Sequence, residues 1–167
     1  MNAPRTYTNI NETGCCAVPN IAAWKDKEVT ITNQQFIRMH TRSFLYMPLN
    51  MSSVMTKIQK AAEDAGATML PQEAMTLSRE LSPWKAEQLY AVSKPVDGAD
   101  NVTISGTFLT QVFDGPFKDA QKWYNALMEF AKTKGKEVET VYMFYTTCPN
   151  CAKHYGHNYV IGMAQAA

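Results

Sequence analysis

With 167 residues, 46% of them hydrophobic and 19% charged, the chain is long enough for one domain with a normal core, and its composition excludes wholesale disorder. Sixteen Lys and Arg face fifteen Asp and Glu, a net charge of +1, which argues against a dedicated nucleic-acid binder. No apolar run reaches transmembrane length and the polar Met1–Glu12 lacks the apolar stretch of a secretory leader, so no membrane partner and a cytoplasmic location are expected.

Residues 1–27 are rich in Asn, Thr, Pro and Lys and show little periodicity; they read as an N-terminal arm carrying Cys15-Cys16. From Glu28 to Phe44 the pattern is strand-like: Val29 and Ile31 alternate with Thr30 and Thr32, then Ile37, Met39, Thr41 and Ser43 with Arg38, His40 and Arg42. Asn50 is a candidate cap for a helix whose stripe is Met51, Val54, Met55, Ile58, Ala62 and Ala65, with Gly66 as the stop. Strands are predicted around 74–78 and 87–93, followed by a turn region from Pro95 to Asn101. The second half reads the same way. A strand over 102–113 ends at Gly115-Pro116, a helix carries Ala120, Trp123, Tyr124, Leu127, Met128 and Ala131 and stops at Gly135, and strands close the chain at 138–146 and 158–163. The ten methionines suit an adaptable core or binding surface.

Gly66 and Gly135 lie 69 residues apart. That offset, without gaps, sets Phe44 on Phe113, Val54 on Trp123, Ile58 on Leu127, Ala62 on Ala131, and Tyr90 on Tyr159. The expected architecture is α+β: two pseudo-symmetric strand–helix–strand–strand repeats, about 28–97 and 98–167, sharing one antiparallel sheet with both helices on one face. A groove between the repeats, on the helix-free side, is the expected binding site.

Two stretches carry a family resemblance. Thr107-Phe108-Leu109-Thr110-Gln111-Val112-Phe113-Asp114-Gly115-Pro116-Phe117 with its following helix, and Leu89-Tyr90-Ala91-Val92-Ser93-Lys94-Pro95-Val96, resemble the gyrase-inhibitor-like (GyrI-like) small-molecule-binding domain. The resemblance spans residues 28–165, and the motif Cys148-Pro149-Asn150-Cys151 marks a distinct branch. It implies a two-fold pseudo-symmetric fold that binds hydrophobic or aromatic small molecules. Relatives include effector-binding domains, gyrase inhibitors, and hydrolases of cyclopropane-bearing compounds. The 27-residue arm leaves no room for a helix-turn-helix, so the resemblance is to the standalone type. The acidic residue that many relatives carry inside the last strand has no counterpart here, since Val160 and Ala91 occupy the matching positions.

Tyr90 and Tyr159, related by the repeat, are expected to flank a planar ligand, with Trp84 lining the rim and His40 and Arg42 forming a basic wall with Arg38. In the hydrolase alternative Glu87, shielded by aromatics, and Tyr90 serve as the acid–base pair; Glu80 is a more distant source of a carboxylate. Cys148 and Cys151, together with Cys15 and Cys16, have the composition of a structural zinc site, with a redox pair or free thiols as the alternatives and His154 or His157 as substitute ligands. No organic cofactor is required, and the signatures of phosphate-binding loops, zinc proteases and α/β-hydrolases are missing.

Overall fold

The computed structural model describes residues 3–167, so Met1 and Asn2 of the expected arm lie outside the described residues. In chain order these residues form α1 (Ile21–Trp24), β1 (Lys27–Phe44), β2 (Met47–Pro48), α2 (Met51–Asp64), β3 (Thr76–Ser82), β4 (Lys85–Val92), β5 (Asp100–Asp114), α3 (Ala120–Thr133), β6 (Val138–Tyr145), α4 (Pro149–Tyr155) and β7 (Tyr159–Ala166). Alternation of β-branched and polar residues over eighteen positions makes β1 the longest strand, longer than one neighbour can use. It pairs antiparallel with β5 between Lys27 and Arg38 and with β4 between Gln35 and Arg42. β4 continues to β3, β5 to β7, and β7 to β6. A single bridge, Ser78 to Met143, joins β3 to β6 and closes the ring β1-β4-β3-β6-β7-β5. The protein is thus a mixed α/β fold whose antiparallel sheet closes into a barrel.

Closure corrects one expectation. In an open sheet the helix-free side would offer a groove, whereas here that side is the barrel interior. Trp24, Phe36, Leu77, Phe108, Phe144 and Met163 fill it, each 0–2% exposed. The correction follows from the reach of β1. Once both its edges are paired, the six-strand ring among the described residues has no free edge, and its inner face is enclosed. A bulge between Ile31 and Gln34, with Asn33 at φ +50°, switches which side chains point inward: Val29 and Ile31 before it, Phe36 after it.

Both long helices pack on the outside. α2 sets Val54, Ile58 and Ala62 towards β1 and β4, where Ile37, Val92, Met39 and Tyr90 join the cluster. α3 sets Leu127 and Ala131 against Leu109 of β5 and Ala164 of β7. Asn50 precedes α2 as expected, but its Oδ1 accepts the Arg42 N–H at 2.7 Å instead of capping the helix. None of the helices among the described residues is long and apolar enough to cross a membrane.

The gapless 69-residue frame describes the two 14-residue helices, which begin at Met51 and Ala120. It does not describe the later strands. Tyr90 is the sixth residue of β4 and Tyr159 the first of β7. The link from α2 to β3 is long and contains a short turn of helix at Pro71–Glu73. In the second half the long link comes later, between β6 and β7, and contains α4.

The arm closes one end of the barrel. Thr6, fully buried, donates its hydroxyl to the Ala74 carbonyl at 2.6 Å. Tyr7 packs edge-on against Phe144 and donates to the Thr146 carbonyl at 2.7 Å. Trp24 of α1 sits beneath as a stopper, its indole N–H bonded to the Arg5 carbonyl at 3.0 Å.

Candidate functional site

Successive residues of a strand point to opposite faces, so the inward positions can be followed beyond the apolar core. In β1 the series Phe36 continues to Arg38; Met75, just before β3, and Leu77 within it continue to Arg79; in β4 Ala91 and Leu89 lead back to Glu87. The three meet at the end of the barrel away from α1. Glu87 is 3% exposed and accepts the Arg79 Nε–H at 2.8 Å, with Arg38 Nη1 at 3.6 Å. Arg38 in turn donates to Asp100 at 2.8 Å. Burying a carboxylate is tolerable only with such partners. Tyr142, whose phenol is pushed up chiefly by burial, completes this polar layer.

A second arrangement lies on the outer face, over the weakly joined β3–β6 seam. A depression of about 230 Å³ is lined there by Ser78, Glu80, Tyr124, Glu139, Met143 and Tyr145. Its walls come from both halves of the chain and from α3. Glu80 stands open at the rim, yet the protein mass around it desolvates its carboxyl enough to raise the pKa. The Tyr145 phenol is raised too, first by burial and then by the nearby Glu80 charge, so it stays protonated as a hydrogen-bond donor. Phe117 tilts against Tyr145 with ring centres 5.8 Å apart and extends the aromatic wall. A larger depression of about 450 Å³, beside the β1 bulge, has Glu73 as its single ionisable lining residue and offers no acid–base pair.

The other residues singled out in the sequence are dispersed. Glu87 and Tyr90 lie three apart on β4 and so on opposite faces, Glu87 inward and Tyr90 in the cluster under α2. Strand periodicity alone separates them as an acid–base pair. Tyr90 and Tyr159 do not flank a common space: Tyr159 pairs with Asp114 in register and stacks on His157, ring centres 4.8 Å apart. Trp84 is exposed in the β3–β4 turn, tilted against Phe44 at 5.7 Å. His40 and Arg42 are exposed towards the far end of β1, opposite Glu87 and Lys85 in register. Tyr145 was missed; one aromatic residue in a short strand carries no signal of its own.

Asp114 is the hub of the β5–β7 corner. Its carboxylate lies 2.7 Å from His157 Nδ1 and accepts the Asn158 N–H at 2.8 Å. Desolvation alone would raise its pKa, but these bonds outweigh it and hold the carboxyl below its ordinary 3.8. A carboxyl depressed on folding contributes stability above its unfolded pKa and loses it as pH falls through the folded one. Asp114→Asn is therefore expected to lower stability near neutrality and to converge on the wild type as the pH falls below about 4, which flattens the acid limb, as read by urea unfolding at stepped pH.

The thiols converge. The Sγ atoms of Cys15, Cys16, Cys148 and Cys151 lie within 4.8 Å of one another, a set that could hold a metal ion. Cys148-Pro149-Asn150-Cys151 forms the start of α4, with Pro149 at its first position. All four cysteines are free thiols. Thr13 Oγ1, 3.3 Å from Cys151 Sγ, is the main influence lowering that thiol to about 7. His154 and His157 take no part: they face Glu12 and Asp114.

A filled antiparallel barrel with outer helices and a carboxylate–phenol depression on its seam is the scaffold to which the comparisons speak. The chain belongs to the bacterial hydrolase family, whose profile matches residues 6–166. Its fold is similar to that of a hydrolase from Listeria innocua, at 11% identity and a TM-score of 0.59, covering 86% of this chain and 92% of that one. It is equally similar to an uncharacterized conserved protein from Listeria innocua, at 11% identity and a TM-score of 0.59, covering 87% and 94%. At that identity the likeness concerns the fold alone. The comparison with curated proteins gives no match.

Proposed function

We propose that the protein hydrolyses a reactive, aromatic or apolar small molecule, such as one bearing a strained three-membered ring, in the depression over the β3–β6 seam. The observation that carries this reading is the meeting of Glu80 and Tyr145 in one aromatic-walled space, together with membership of a hydrolase family. Tyr124, Tyr145 and Met143 supply the apolar contact for binding. Glu80, made more basic by desolvation, takes a proton from water as the water oxygen attacks a ring carbon. The ring bond breaks towards its heteroatom, or carbanion-stabilised carbon, which takes the Tyr145 phenolic proton. Glu80 then returns its proton to the phenolate through solvent. Glu87 serves a different end: it points into the barrel, where its carboxylate meets the Arg79 and Arg38 guanidinium groups and fixes the inward arginines.

The GyrI-like reading, binding without turnover, draws support from the strand pairing. Exchanging β1 with β5, β4 with β7 and β3 with β6 reproduces the same ring of neighbours, the pattern an internal duplication would leave. We take the arm as residues 1–27 and the halves as about 28–97 and 98–167. We also propose zinc, in a structural role, as the metal of the four thiols.

A phenyl-substituted epoxide and a phenyl-substituted cyclopropane are the probes. The expected result is turnover by the wild type, with Glu80→Gln lowering kcat/KM by about 100-fold or more at unchanged thermal stability. Wild-type rates in Glu80→Gln remove Glu80 from the mechanism. Saturable thermal stabilisation by the probes without product selects the binding reading.

A further inference from the structure

The four thiols join two parts of the chain that are far apart in sequence. Cys15 and Cys16 belong to the arm, Cys148 and Cys151 to the start of α4, more than a hundred residues later. The distances suit one ion. A tetrahedral zinc tetrathiolate with Zn–S near 2.3 Å has S···S edges of about 3.8 Å; the vicinal pair shows 3.7 Å between Cys16 Sγ and Cys15 Sγ. A disulfide would need about 2.05 Å.

The loop that presents the pair is built for it. Gly14 takes φ +73° and its N–H bonds Asn11 Oδ1 at 2.8 Å, turning the chain so that two adjacent side chains face one point. The Cys15 and Cys16 N–H groups both donate to Thr13 Oγ1, at 3.2 and 3.1 Å. Cys148 N–H donates to Cys16 Sγ at 3.5 Å, the kind of outer contact that orients a thiolate ligand. Tyr155 clamps the loop from α4, donating to the Cys16 carbonyl at 2.8 Å and accepting the Glu12 N–H at 3.0 Å.

We propose that this centre is the latch of the N-terminal arm: one zinc ion, held by Cys15, Cys16, Cys148 and Cys151, keeps the arm seated over the closed end of the barrel. The inference rests on the zinc reading above and adds a mechanical role to it. The arm covers Trp24 and Phe144 through Arg5, Thr6 and Tyr7. Beyond those contacts its outer loop is tied down mainly by Tyr155, by the exposed pair Glu12–His154, and by the thiols. An exposed ion pair holds little, so the metal supplies most of the restraint. Because metal binding to folded ligands is folding free energy, its removal should free the arm first and the barrel later.

The test uses the full chain. Elemental analysis of protein purified without added metal should find about one zinc per chain, and less than about 0.2 overturns both the zinc reading and the latch. Hydrogen exchange is then compared before and after stripping with a strong chelator under reducing conditions. The latch requires amides of the arm up to Val18 to exchange at least tenfold faster while those of β4 and β7 keep their protection. Zinc present with unchanged arm exchange after stripping overturns the latch and leaves the zinc reading standing. Cys16→Ser should mimic stripping. Cys151 is buried, so the chelation experiment on the wild type, and not a variant at that position, decides the question.

Discussion

Replacing Arg79 with Met lowers the unfolding midpoint by roughly 10 °C, through a loss of about 3 kcal/mol. The change keeps most of the aliphatic stem and removes only the guanidinium that meets Glu87 at 2.8 Å. Glu87 is then a carboxylate inside the barrel with Arg38 at 3.6 Å as its remaining partner. The loss stands at the lower end of the range for broken buried pairs because Arg38 stays and Arg79 itself is about a third exposed. Adding Glu87→Gln to Arg79→Met should recover most of it, since the stranded charge disappears. A double-mutant cycle by thermal or urea unfolding measures this; equal losses in the single and double variants would show that packing, and not charge, dominates.

Trp24→Ala is expected to cost about 3–5 kcal/mol, enough to populate the unfolded state near physiological temperature. The indole is fully buried among the interior side chains of the barrel. Its removal opens a cavity between the barrel strands and the arm that covers them, which the paired strands cannot collapse to fill. It also leaves the Arg5 carbonyl without the indole N–H. Trp24→Phe refills most of the volume and should restore more than half of the stability. Denaturant unfolding, with the midpoint and slope fitted separately, distinguishes this from a change in the unfolded chain.

Much of the fold could be read from local pattern. The stripes Val54-Ile58-Ala62 and Trp123-Leu127-Ala131, with Gly66 and Gly135 after them, place both long helices to within a residue or two. Alternation places β1, β5 and β6 equally well. Closure was not legible, because the pairing of Lys27–Arg38 with Asp100–Thr110 joins residues far apart in sequence and leaves no periodic trace. The bulge at Asn33 was hidden in the polar run Thr32-Asn33-Gln34, and with it the change in which residues face inward. The thiol cluster was legible from cysteine spacing alone. The Glu80–Tyr145 pair was not, because it depends on β3 and β6 lying side by side, a neighbourhood that only the closed barrel creates.

The lone rung between Ser78 and Met143 gives the cylinder a zip line. Every other stave is stitched to its neighbour by several rungs, so thermal breathing concentrates where the stitching is thinnest. A molecule bound in the outer depression, as proposed, would lie against the part of the wall with the fewest rungs between strands. The wall behind it can part along its length while both end-closures, stopper and ionic lid alike, stay where they are.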